Sequence, residues 1–97
     1  MQVIVAGAVH VAPENRDRFV AGHRQLVERA RAYPGCLDLS ISADPLEASR
    51  VNIFEHWESQ EVLDAWRASA PSPSVRIDLE DGHMAKHEIA RSGPPFD

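Results

Sequence analysis

Asn52, Phe54 and His56 stand at alternate positions of one short segment, a spacing that puts all three on one face of a β-strand. An Asn amide can donate to a developing oxyanion, and a His can take a phenolic proton near neutral pH. Trp57 has the opposite parity, and Trp66 follows nine residues later. Two indoles around one helix supply the walls of an apolar pocket, or an N–H donor into it. The chemistry these types suit is proton removal from a bound molecule, followed by stabilisation of its anion. In that reading Asn52 is the oxyanion donor and His56 the proton acceptor, while Trp57, Trp66, His23 and Phe54 contact the substrate. The same residue types also serve packing alone: Trp fills cores, and a buried Asn and His can simply satisfy each other.

Other chemistries find less support. His83 and His87 have a metal-binding spacing only on a helix; in a strand, four residues span roughly 13 Å, too far for one ion. No metal is expected. Cys36 is the chain's one cysteine, which excludes an internal disulfide, and no base lies near it to make a nucleophile. With no glycine-rich phosphate loop there is no flavin or nicotinamide signal, and no cofactor is expected. The net charge of −5 argues against a nucleic-acid partner. No apolar run approaches the roughly 18 residues of a membrane helix, and no secretory charge pattern opens the chain. A soluble, cytoplasmic protein is the expectation.

The elements that must position these residues follow from periodicity. Ninety-seven residues make one domain, with a core over 2–90 and a tail over 91–97. Residues 2–11 are β-branched and almost wholly apolar, which reads as a strand covered on both faces. Pro13 opens a helix that carries Phe19, Val20, His23, Leu26, Val27, Ala30 and Tyr33 on one stripe, and Pro34-Gly35 ends it. Residues 36–43 alternate, with Leu37, Leu39, Ile41 and Ala43 on one face and Cys36, Asp38, Ser40 and Ser42 on the other. A loop from Asp44-Pro45 leads to a strand at Val51–Trp57. Ser59 caps a second helix, which Pro71 and Pro73 end. Residues 71–82 form a loop with a short helical turn at 75–79, and a last strand spans 83–90. The order β-α-β-β-α-β predicts a ferredoxin-like α+β fold with both helices on one face of the sheet. The other face is open, and strand one is apolar on both parities. A second copy is the expected cover, giving a homodimer.

Phe54-Glu55-His56-Trp57-Glu58-Ser59 resembles the E-x-W-x-S strand-to-helix signature of the antibiotic biosynthesis monooxygenase superfamily. Pro34-Gly35-Cys36 ahead of strand two, and the element order over 2–90, carry the same resemblance. It implies a dimeric α/β barrel and oxygenation of a small aromatic phenol, anthrone or quinol by O2 without metal or flavin. It also implies a structural, hydrogen-bonded role for Glu55. Members resembling quinol monooxygenases often have a His nine residues after the signature Trp, where this chain has Trp66. Haem-degrading members have a Trp there, a helical His further on and an Asn in strand one, at positions that match Arg76 and Gly7. The haem machinery is thus incomplete, and weak haem association is expected. The alternatives are a haem-degrading protein or a non-catalytic dimeric binding module of the same fold.

Overall fold

A computed structural model describes residues 1–96; Asp97, the end of the expected tail, lies outside them. The elements are β1 (Val3–His10), a 3-10 turn (Pro13–Asn15), α1 (Arg16–Gly22), α2 (Arg24–Ala32), β2 (Cys36–Ala43), β3 (Arg50–Trp57), α3 (Gln60–Ser69) and β4 (Asp81–Glu88). The four strands form one sheet in the order β2-β3-β1-β4, with every neighbouring pair antiparallel. This is the ferredoxin-like α+β arrangement. Strand β1 lies between β3 and β4, so both of its edges are paired.

Three local features differ from the periodicity. The first helix is not continuous: Pro13 starts a 3-10 turn, and the helix breaks again at His23, whose backbone sits at φ −98° and ψ 0°. In β2 a bulge falls between Cys36 and Asp38. Leu37 is the extra residue and is 48% exposed, while Cys36 pairs with Trp57 on the helix-covered face instead of joining the polar residues. Residues 70–80 form no helical turn, and β4 begins at Asp81, two residues before the expected start. This segment is a strap across α1. The Ser74 N–H and Oγ–H both donate to the Gly22 carbonyl at 3.0 Å, Ile77 packs on the cluster of Val9, Val11, Phe19 and Val51, and the Glu80 N–H reaches His10 O at 2.8 Å. Pro71 and Pro73 explain why the strap stays extended.

Two apolar clusters fill the space between sheet and helices. One joins Val3, Val5, Leu39 and Trp57 to Ala30, Leu63 and Trp66; the other joins Val9, Val11 and Val51 to Phe19. Between them runs the row Ile53–Gly7–Met84. Trp57 has no exposed surface and anchors the first cluster, where burial of one indole is worth about 4–6 kcal/mol. Helix α3 sits over this cluster because two devices set its start. Ser59 Oγ accepts from the Val62 N–H at 3.2 Å, and Gly35, at φ +94°, lets the chain pass close beneath Val62.

A polar network closes the β2–β3 loop. Asp44 accepts from the Asn52 side-chain amide at 2.9 Å and from the backbone N–H groups of Glu47 at 2.8 Å and Leu46 at 3.0 Å. Arg50 Nε donates to Asn52 Oδ1 at 2.7 Å, and Arg16 Nη1 donates to the Asp44 and Glu47 carbonyls at 3.1 and 2.8 Å. Donation from Asn52, then from Glu47 and Leu46, holds the Asp44 carboxyl down at about 2. The folded value lies below the unfolded one of about 3.9, so the stabilisation is full above that range and is lost as pH falls towards about 2. Asp44→Asn is therefore expected to lower the urea midpoint at neutral pH, with the gap to the parent closing as the medium is acidified. A gap independent of pH would contradict this account. Gly7 gives a second expectation. At φ +153° it lies so close to β4 that a methyl group there would sit 1.8 Å from the His83 carbonyl oxygen. Gly7→Ala should cost about 1–3 kcal/mol or release β4, and an unchanged melting curve would exclude that.

Candidate functional site

On the helix-covered face, three aromatic side chains form a ladder from β3 to the end of the first helical pair. The Trp57 and Trp66 ring centroids are 6.0 Å apart and tilted by 31°, and Tyr33 meets Trp66 edge-on at 5.4 Å. Trp57 is held by its neighbour on the same face: its Nε1–H donates to Glu55 Oε1 at 3.0 Å. Glu55 lies in register with Val5 and Leu39, so its carboxylate would have been buried without a donor. Beside the ladder opens a groove of about 380 Å³ lined by Tyr33, Pro34, Glu61, Val62 and Ala65. Its lining is apolar with one acid at the rim.

His23 is half-buried on this same side of the sheet, between α1 and α2. Its Nδ1–H donates to the Phe19 carbonyl at 2.7 Å, and its ring lies on that of Phe19 with centroids 4.3 Å apart. It belongs to the helical stripe that continues through Leu26, Ala30 and Tyr33, all of which pack on the Trp57–Trp66 cluster.

Asn52, Phe54 and His56 are on the other face. Their register partners on β1 are Ala8, Ala6 and Ile4, and the row continues on β2 with Ser42, Ser40 and Asp38. His56 Nε2–H donates to Gln2 Oε1 at 2.8 Å, with Phe54 edge-on at 6.3 Å. Both ends of the Asn52 amide are engaged, by Asp44 and Arg50, which leaves one N–H free. His10, His83 and His87 share this open face. The sheet therefore puts Trp57, Trp66 and His23 on the helix side, with His23 against Phe19 of the second cluster, and Asn52, Phe54 and His56 on the other. A single pocket containing all six does not form within one chain.

Three contributors carried no chemical signal in the sequence. Tyr33 read only as the end of an apolar stripe, Gln2 as a strand start and Asp44 as a turn former. The Cys36 thiol is pushed up by burial and then by the neighbouring Asp38 charge, the opposite of what activates a nucleophilic cysteine. No group of three or more His, Cys, Asp or Glu among the described residues is placed to hold a metal ion. Haem fits the chain poorly. The position that would offer a strand-one amide is Gly7, where β4 leaves no room for any side chain. Arg76 lies in the strap and has no lone pair for iron.

Comparison with known proteins finds relatives in sequence and in fold. A protein of Synechocystis sp., sll1783, is 32% identical over 62 residues; the match covers 64% of this chain and 42% of that protein's length. Among solved structures, an antibiotic biosynthesis monooxygenase superposes with a TM-score of 0.72 at 22% identity, covering 94% of this chain and all of the other (100%). A conserved protein from Methanosarcina mazei Go1 gives 0.72 at 16% identity over 90% and 91% of the two chains. The haem-degrader MhuD from Mycobacterium tuberculosis, solved with two haems in its active site, gives 0.68 at 16% identity over 95% and 99%. At these identities the structures share the fold. The family profile described as antibiotic biosynthesis monooxygenase matches residues 2–73, from β1 through α3 and into the strap. The chain belongs to the antibiotic biosynthesis monooxygenase family.

Proposed function

We propose that this protein is a cofactor-independent monooxygenase that oxidises a small phenol, anthrone or quinol with O2 as a cytoplasmic homodimer. The observation that carries the reading is the Trp57–Trp66–Tyr33 ladder beside an apolar groove on the helix-covered face. A flat aromatic ring fits against such a wall, and apolar surroundings exclude water from the anion formed on it. The substrate supplies its own electrons once it has lost a proton. In an anthrone, one oxygen atom of O2 converts the ring CH2 to C=O, and the other leaves as water with the two hydrogens. The protein's part is to bind, orient and desolvate. Trp66 and Tyr33 contact the ring, and Trp57, fixed by Glu55, backs Trp66.

Asn52, Phe54 and His56 belong in this reading to the seam between two copies. Ile4, Ala6, Ala8 and Phe54 form the apolar middle of the open face, and a second sheet laid on it would bury about 2,000 Å² or more in total. Asn52 and His56 act on the substrate only if it enters that seam.

Light scattering at micromolar concentration is expected to give twice the 10.8 kDa chain mass. The mass of a single chain would end the dimer reading. Oxygen uptake with a panel of phenols, quinols and anthrones tests the chemistry. Trp66→Ala is expected to lose at least tenfold in kcat/KM, about 1.4 kcal/mol or more, while Leu46→Ala on the far loop keeps full activity. Because deleting a buried Trp costs roughly 3–5 kcal/mol, both variants are compared only below their melting transitions. Saturable haem binding at one per subunit, followed by ring opening with a reductant, would overturn the proposal in favour of haem degradation.

A further inference from the structure

The groove beside the aromatic ladder has two walls that are tied to each other. One is the turn after α2, with Tyr33 and Pro34; the other is the first half of α3, with Glu61, Val62 and Ala65. Gly35 joins them. Its carbonyl accepts from the Glu58 N–H at 2.8 Å, and a Cβ there would sit 2.7 Å from Val62 Cγ1. The Ser59 cap fixes where α3 starts, and with it the place of Glu61 in the first turn. Glu61 and Ala65 are one helical turn apart and share a flank of the helix. The width and the rim of the groove are thus built into the backbone. Its volume of about 380 Å³ lies at the low end of the roughly 300–1,000 Å³ of small-molecule clefts.

Of the residues that line this groove, only Glu61 is charged. Its side chain is exposed, and among the described residues no hydrogen bond or ion pair engages its carboxylate. Its neighbours are committed elsewhere. Gln60 Nε2 donates to Asp64 Oδ1 at 2.8 Å, and Lys86, the chain's one lysine, donates to Gln60 Oε1. The one arginine of α3, Arg67, lies in its last turn. An otherwise apolar groove therefore carries an unneutralised negative charge at its mouth.

We propose that Glu61 is a specificity-determining residue of this groove. It admits an aromatic ring whose outer end is neutral or cationic, and it turns away one whose outer end carries a carboxylate. The inference rests on the oxygenase reading above in taking the ring to be a phenol. Two negative charges at one rim repel, and the low-dielectric wall beside them strengthens the effect. Glu61 also sets the direction of entry. The hydroxyl that ionises in the reaction points inward, toward Tyr33 and the Trp66 behind it, where its charge lies away from Glu61. The opposite end of the ring is left at the rim. The substrate class narrows to phenols whose para substituent is uncharged or basic.

Three phenols of similar size and different charge test this on the intact protein: 4-hydroxybenzylamine, 4-hydroxybenzyl alcohol and 4-hydroxybenzoate. Dissociation constants are read from the NMR shift of the Trp66 indole N–H, which needs no turnover. At neutral pH and low salt the amine should bind tightest and the benzoate weakest, each step being about threefold. In about 1 M salt, where the Debye length is roughly 3 Å, the three should converge. Glu61→Gln should flatten the series and Glu61→Lys should reverse it. Asp64→Asn removes the same charge outside the groove and should leave the series in place. A parent that binds the benzoate as tightly as the alcohol overturns the assignment. So does a series that survives Glu61→Gln, the result expected if Glu61 serves only the helix N-terminus. Equal loss of the series in Asp64→Asn overturns it too. If the series holds but no phenol supports oxygen uptake, the oxygenase reading fails and the charge filter stands. If oxygen uptake occurs without regard to para charge, the filter fails and the oxygenase reading stands.

Discussion

A pleated strand sends successive side chains to opposite faces, and in β3 that alternation divides the chemistry of the molecule. Val51, Ile53, Glu55 and Trp57 face the helices, whereas Asn52, Phe54 and His56 face away from them. A shift of one residue in register would exchange the two sets. The register is held by burial of Trp57 with its indole N–H on Glu55, and at the other end of the hairpin by Asp44 gripping Asn52. The signature pair Glu55 and Trp57 is thus first a device for fixing which face is which. An apolar residue in place of Glu55 would leave a buried indole N–H without an acceptor, at a cost of about 1–3 kcal/mol.

From that constraint the two surfaces acquire separate characters. The helix side holds an aromatic ladder and an apolar groove. The open side has an apolar middle of Ile4, Ala6, Ala8 and Phe54 with four histidines around it, His10, His56, His83 and His87. The row Ile53–Gly7–Met84 separates the two helix-side clusters, and Gly7 cannot carry a side chain because β4 passes too close. That one position does most to set this chain apart from the haem-degrading pattern. The strap over residues 70–80 covers the second cluster through Ile77 but makes few hydrogen bonds, which places it at the low-stability end of the fold.

The fold was legible because its signals are repetitive. A continuous apolar run in β1, period two in β2, period near four in the helices, and proline or glycine at the boundaries left one topology. Within the site, legibility stopped where a single residue changed the local geometry. The bulge at Leu37 moved Cys36 across the sheet, and no pattern of apolar residues announces one extra residue in a strand. The break at His23 was hidden because the apolar stripe runs straight through it from Phe19 to Tyr33. Parity correctly set Trp57 against Asn52, Phe54 and His56, but composition could not say which face the helices cover. Gln2 and Tyr33 act through long-range contacts that no spacing encodes.

The central claim is that ligand chemistry belongs to the helix-covered face, and the open face to a second copy of the chain. A chemical-shift titration of the assigned protein with an unreactive aromatic phenol tests it most directly. The account requires the largest shifts at the Trp66 indole and Tyr33, with Ala6, Ala8 and Phe54 unmoved. Shifts centred on Ala6, Ala8 and Phe54, with the Trp66 indole unchanged, would contradict it.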